Sequence, residues 1–339
     1  MKPRAKRPWA ATSLRVQGTR RALWAAWLQA ATVMLPSPLL AQATPPAAAQ
    51  PPEQAQIPTP PEAEYALPTR IDRIGRVVAP VSVNGQGPFR FILDTGANRS
   101  VLSPKLAATL GLVPLEGESI RVQGVTGSAL LPAVTVDTLQ AGELLLVRNQ
   151  RVPVLAETVL VGADGILGID GLTDARIDID FDADRVVISK SRGRSQRQRG
   201  MLAIPVTVRY GGLLRASGRV GRQKVVAIID TGAERSLGNS ALWRALDAAG
   251  TSTDDTVVTT VMGATPDLAE GSQIVVPSVR IGDVELRSLE VTFGDLNVFR
   301  IWGLENEPAL LIGMDLLGTV RRLIIDYRRR EILLQPAGG

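Results

Sequence analysis

The strongest constraint on this chain is a ten-residue stretch that occurs twice. Phe91-Ile-Leu-Asp-Thr-Gly-Ala-Asn-Arg-Ser100 reappears as Ala227-Ile-Ile-Asp-Thr-Gly-Ala-Glu-Arg-Ser236. Each copy is an apolar run that ends in Asp-Thr-Gly-Ala, with Arg and Ser at matched offsets. One Asp-Thr-Gly is ordinary turn chemistry. Two copies behind two strand-like runs, with further matched elements downstream, describe a duplicated half-site. The pairing predicts that Asp94 and Asp230 meet face to face and share a proton.

The flanks of the two copies follow the same order. Ahead of the first, Val77–Val83 reads as a strand and Asn84-Gly85 as a tight hairpin turn into Phe89–Leu93. Behind it, Ser103 starts and Gly111 ends a short helix with Pro104 in its first turn. Ser119–Pro132 forms a hairpin whose small, flexible tip is Gly124-Val125-Thr126-Gly127. Leu144–Val147 and Val152–Leu155 read as two short strands, and Gly165-Ile-Leu-Gly-Ile-Asp170 precedes a closing hairpin that turns at Asp182-Ala-Asp184. In the second half the helix is Ser240–Gly250, and the hairpin tip falls near Met262-Gly263 within Val257–Thr265. Leu310–Asp315 matches Gly165–Asp170, Leu323–Leu334 matches the closing hairpin, and the extra length is assigned to a loop over Asp295–Pro308.

Composition removes several chemistries. The 339 residues include no His and no Cys, which excludes a His-activated nucleophile, disulfides, and zinc held by His or Cys. The formal charge of +5 is concentrated at the start. Residues 1–43 hold seven Lys or Arg and no acid, and the remainder balances 31 basic against 33 acidic residues. Nucleic acid is therefore not an expected partner. Residues 1–43 read as a secretory signal peptide: a basic segment to Arg21, an apolar run from Ala22 to Leu40, and Ala41-Gln-Ala43 as a cleavage site. The expected destination is the periplasm or the exterior, with no membrane span after cleavage; the competing reading is an uncleaved anchor. Residues 44–68, rich in Pro, Ala and Gln, read as a disordered linker. The lobes are expected at 69–191 and 201–339, joined by a solvated basic linker over 192–200.

With these residues in view, the chain resembles the pepsin/retropepsin superfamily of aspartic proteases, and within it the bacterial proteins with retropepsin-like lobes. The resemblance rests on the two Asp-Thr-Gly-Ala motifs and on Ile166-Leu-Gly168 and Leu311-Ile-Gly313. It implies an all-β fold of two β-barrel lobes of six to seven strands, related by a pseudo-twofold, with a few short helices. It implies an aspartic endopeptidase, acting as a monomer on polypeptide, with Asp94 and Asp230 catalytic and no metal or cofactor. Each hydrophobic-hydrophobic-Gly element would thread past its motif loop to support the Asp. Thr95 and Thr231 would cross-bond the two loops beneath the dyad, and Gly96 and Gly232 would allow the close approach. Ser100 and Ser236 are assigned to the outer carboxylate oxygens, with simple capping of the loop as the alternative. Asp170 and Asp315 are read as helix caps. Gly124, Val125, Thr126, Gly127, Met262 and Gly263 are the flap candidates that would close over an extended substrate. Neither flap carries the Tyr of pepsin flaps, and the residues after the motifs, Asn98-Arg99 and Glu234-Arg235, depart from the usual ones. A peptide-binding scaffold that keeps the fold without catalysis is the rival reading. A zymogen with residues 44–68 as propeptide is a second.

Overall fold

The computed structural model describes residues 67–336 except 69, 72–74, 115, 143, 171, 193–199 and 251–255. The segment read as a signal peptide, nearly all of that read as a Pro-rich linker and the centre of that read as a basic linker lie outside the described residues. The first half runs β1 (Leu67–Pro68), β2 (Arg70–Ile71), β3 (Val77–Val83), β4 (Gln86–Leu93), β5 (Val101–Leu102), α1 (Pro104–Thr109), β6 (Ser119–Gln123), β7 (Ser128–Ala141), β8 (Leu144–Pro153), α2 (Glu157–Leu160), β9 (Gly165–Leu167), β10 (Ala175–Asp180) and β11 (Arg185–Lys190). The second runs β12 (Leu202–Pro205), β13 (Thr207–Arg209), β14 (Leu213–Val220), β15 (Gln223–Ile229), β16 (Leu237–Asn239), α3 (Ser240–Ala248), β17 (Val257–Met262), β18 (Leu268–Ile281), β19 (Val284–Gly294), α4 (Asn297–Ile301), β20 (Ala309–Ile312), α5 (Met314–Leu317), β21 (Val320–Asp326) and β22 (Glu331–Pro336). The fold is all-β with two lobes and a few short helices.

Local chemistry accounts for the strand that delivers each motif. Asn84 and Gly85 both take positive φ, 50° and 74°, the conformation that a two-residue hairpin turn between twisted strands requires. The chain therefore returns as β4, whose last residues Phe91, Ile92 and Leu93 are fully buried. That burial on both faces explains an unbroken apolar run rather than an alternating one. β9 lies parallel to β4, with Phe91 opposite Gly165 and Leu93 opposite Leu167, and antiparallel to β5. The second lobe repeats the arrangement: β20 is parallel to β15, with Ile229 opposite Ile312, and antiparallel to β16. Each hydrophobic-hydrophobic-Gly strand thus passes between the strand entering its motif loop and the strand leaving it.

Each lobe holds an eight-stranded sheet, and a third sheet of six strands spans both in the order β1-β11-β10-β21-β22-β12. The closing hairpins of the two halves therefore do not close separate barrels. They pair edge to edge through β10 and β21, with Ile177 opposite Ile325. Arg322 crosses this joint in a two-pronged contact with Asp178, at 2.6 and 2.8 Å. Ile177, Ile179, Leu323 and Ile325 are almost completely buried, each worth roughly 1.5–3 kcal/mol of transfer free energy. This shared sheet holds the two lobes in one orientation.

Some sequence expectations need correction. The two short strands expected over Leu144–Leu155 are one ten-residue strand, β8, because the polar residues 148–151 continue its pairing with β7. α3 is capped by Asn239 and not by Ser240: the Asn239 side chain accepts from Leu242 N–H. It also donates to the carbonyls of Leu304 and Glu307 and accepts from Ala309 N–H, so one buried amide ties the helix start to the approach to β20. The residues Asp295–Pro308, read as a plain loop, contain α4. β1 begins at Leu67, within the last residues assigned to the linker, because it pairs with the outer edge of β11.

Candidate active site

The two motif loops meet. Asp94 N–H donates to Leu167 O and Asp230 N–H to Ile312 O, each at 3.0 Å, so the threaded strand fixes each aspartate backbone. Gly168 and Gly313 then pass beneath the loops with no room for a side chain: a Cβ would lie 2.5 Å from Arg99 C and 2.7 Å from Arg235 C, respectively. Ile169 N–H donates to Ala97 O and Met314 N–H to Ala233 O, which closes the crossing on both sides.

Between the lobes the contact is reciprocal. Thr95 Oγ1 donates to Ile229 O at 2.9 Å and accepts from Thr231 N–H at 3.0 Å. Thr231 Oγ1 donates to Leu93 O at 2.7 Å and accepts from Thr95 N–H at 3.1 Å. Both threonines are fully buried. Above this grip the glycines stand against the opposing acids. A Cβ on Gly96 would lie 2.3 Å from Asp230 Oδ2, and one on Gly232 would lie 2.1 Å from Asp94 Cγ. Only glycine admits such an approach.

The carboxyl groups of Asp94 and Asp230 lie within hydrogen-bonding reach of each other. Asp94 Oδ1 accepts from Gly96 N–H and Ala97 N–H, at 2.8 and 2.9 Å. Asp230 Oδ1 accepts from Gly232 N–H and Ala233 N–H, at 2.9 and 3.2 Å. Burial pushes both carboxyls above the ordinary range, and the charge of Asp94 drives Asp230 further up. Two adjacent buried carboxylates cannot both ionise cheaply, which is the cause of the stronger upward push on Asp230.

Ser100 and Ser236 do not reach the dyad. Ser100 donates from both N–H and Oγ to Asp170 Oδ1, at 2.9 and 2.7 Å, and accepts from Gly168 N–H. Ser236 donates from N–H to Asp315 Oδ2 and from Oγ to Asp315 Oδ1, at 2.9 and 2.7 Å, and accepts from Gly313 N–H. Their hydroxyls tie each motif loop to its threaded strand, the loop-capping role and not the carboxylate-tuning one. Asp170 and Asp315 accordingly serve these serines. α5 starts at Gly313 with no side-chain cap, so the helix-cap reading of Asp315 does not hold. Burial raises both carboxyls, and their bonds to Ser100 and Ser236 oppose that rise. The recurrence of Asp two residues after each threaded Gly was the available signal for this pairing.

The hairpin tips of the two lobes also meet. Thr126 Oγ1 and Thr265 Oγ1 are 3.3 Å apart, and a Cβ on Gly263 would lie 3.2 Å from Val125 N. Gly124, Val125, Thr126, Gly127 and Gly263 are thus brought together. Met262 is not: it is 77% exposed, because strand alternation turns Val261 inward and Met262 out. Two residues near the dyad carried no sequence signal. Buried Arg76, whose Nη1 donates to Val159 O, bears a charge that draws Asp94 down, a smaller influence than burial. Tyr327, just after β21, has its phenol pushed up by burial and then by the charges of Asp94 and Asp230.

A family model described as aspartyl protease matches residues 79–171 and 216–316, one segment around each motif. No curated protein matches the chain.

Proposed function

The chain belongs to the aspartyl protease family, and from that premise we propose that it is an aspartic-type endopeptidase whose dyad, Asp94 and Asp230, is shared between the two lobes. The observation that carries this reading is the reciprocal approach at the motif loops, where each glycine stands against the other lobe's carboxyl. A lone buried carboxyl cannot supply both a base and an acid. A pair holding one proton can.

The ionised member takes a proton from a water, whose oxygen attacks the peptide carbonyl carbon. The protonated member gives its proton to the carbonyl oxygen, and a tetrahedral diol results. The member that took the water's proton then gives it to the amide nitrogen while the other, now ionised, takes a proton from a diol hydroxyl; the C–N bond breaks, leaving a carboxyl terminus and an amine, and the pair again holds one proton. The N–H groups of Gly96, Ala97, Gly232 and Ala233 hold each Oδ1 in place. The carboxyls therefore need little reorganisation as charge moves between them. The hairpin tips would close over an extended peptide and exclude bulk water. Digestion of a peptide library by the wild type and by the Asp94→Asn and Asp230→Asn variants tests the proposal. Cleavage by the wild type alone supports it; no cleavage by any of the three returns the chain to the scaffold reading.

The raised carboxyls also predict a pH signature in stability. Their folded values lie above the 3.8 of a free aspartate. Between the unfolded and folded values the native state holds more protons than the unfolded chain, so stability falls as pH rises through that window and is fully present below it. Asp230→Asn removes the ionisation while keeping an acceptor for Gly232 and Ala233 N–H. The variant should melt above the wild type at neutral pH, and the gap should close near about pH 3, below the free carboxylate range. Thermal melts of both proteins across pH check this; a wild type that melts higher at pH 7 contradicts it.

A further inference from the structure

The hairpin tips meet across the lobes, but they are not held alike. The tip Gly124–Gly127 is closed on itself by Gly124 N–H donating to Gly127 O at 2.8 Å. Asn297, the first residue of α4 in the other lobe, spans that turn. Its Nδ2 donates to Gly124 O at 3.2 Å and to Gly127 O at 3.0 Å. Next to it, Val298 N–H donates to Val125 O at 3.2 Å, and the Val125 side chain packs on the main core. Arg300 Nη2 donates to Asn297 Oδ1 at 2.8 Å, which settles which end of the amide faces the carbonyls.

The second tip, residues 263–267, lacks this arrangement. Among the described residues, its side-chain hydrogen bond to the first is the hydroxyl pair Thr265 and Thr126. Ala264 packs on the smaller core cluster, where Ala97 of the first motif loop also sits. The helix of the first lobe that corresponds to α4 in the chain order is α2, and its first residue is Glu157. A carboxylate offers only acceptors and cannot bind a turn's carbonyls. Among the described residues, no α2 side chain bonds the second tip.

We infer that Asn297 is a positioning residue that clamps the first flap to the second lobe, so that the second flap is the one that opens to admit a peptide and release its products. The inference rests on the endopeptidase reading. The duplicated halves are inequivalent in this chain: the residues inserted in the second lobe carry the clamp, and the substrate meets one fixed flap and one mobile flap. Opening the second flap costs one hydroxyl contact, the burial of Thr265, the seat of Ala264 and the close packing of Asp267 on Gly127. Opening the first costs three hydrogen bonds to α4 and the seat of Val125.

The test compares Asn297→Asp, which keeps the shape and loses both donors, with Asn297→Gln, which keeps the amide. Amide hydrogen exchange on the full chain without substrate reads the clamp independently of catalysis. In Asn297→Asp, exchange at Gly124 and Val298 should accelerate by about tenfold or more while Ala264–Asp267 stays unchanged. Asn297→Gln should restore part of the protection. With a cleavable peptide, the Asp variant should show a several-fold higher KM with kcat within about twofold, the pattern of lost binding rather than lost chemistry. Unchanged exchange at Gly124 and Val298, or equal acceleration at both tips, overturns the clamp. A chain that cleaves no peptide but shows the asymmetric exchange overturns the endopeptidase reading and leaves the clamp standing.

Discussion

Replacing either Asp94 or Asp230 by Asn should reduce peptide cleavage by on the order of 10³-fold or more, with the fold intact. Asn matches Asp in shape and still accepts the N–H bonds of its own loop, at Gly96 and Ala97 or at Gly232 and Ala233. What it removes is the exchangeable proton. A pair with one amide and one carboxyl cannot withdraw a proton from water and donate one to the carbonyl oxygen in the same step. The two variants should be equally inactive, because the roles belong to the pair and not to one member. Far-UV circular dichroism and thermal melting establish that the variants are folded, and mass spectrometry of a peptide-library digest reads cleavage. A folded variant that still cuts assigns the chemistry elsewhere.

Removing the threonine grip should damage stability and activity together. Thr95→Val keeps the volume but leaves Ile229 O without its donor and Thr231 N–H without its acceptor. Thr231→Val does the same to Leu93 O and Thr95 N–H. Each unpaired buried group costs about 1–3 kcal/mol, so each variant, with two such groups, should lose roughly 2–6 kcal/mol. That is a large part of what a folded protein has to spare. The two substitutions orphan different backbone groups, so the double variant should lose about as much as the two singles added. Thr→Ser at either site keeps the bonds and should retain most of the stability. Denaturant unfolding gives the stabilities, and cleavage under conditions where the variant is still folded gives the second readout. Valine variants as stable and active as the wild type would show that the loops are held together by something other than the cross-bonds.

What the sequence made legible was whatever local pattern encodes. Both motif loops, the turn at Asn84-Gly85, α1 with its Ser103 cap and the two closing hairpins follow from short-range rules. The duplication then supplied the one long-range inference, that the halves face each other. Long-range partner choice was not legible. Nothing local tells β10 to pair with β21 instead of closing its own lobe, because the two strands are far apart in the chain and the contact that bridges them, Arg322 to Asp178, joins residues 144 positions apart. Ser100 lay six residues from one acid and 70 from another, and the distant one, Asp170, won because the threaded strand brings it alongside. Asn239 and Ser240 are both good helix caps, and the choice fell to Asn239 because its amide also satisfies three backbone groups near β20. Asn297 looks like any loop residue until the opposing hairpin is folded over it.

Proton sharing is the claim on which the catalytic account stands, and carboxyl titration by ¹³C NMR measures it directly. In protein labelled at the aspartate side-chain carbons, Asp94 and Asp230 are identified by their loss in the Asn variants. The account predicts that their two signals move together in two well-separated steps, with a single proton held by the pair over a pH range that extends above the ordinary carboxylate range. Two independent transitions, each at the value of an isolated aspartate, would contradict it.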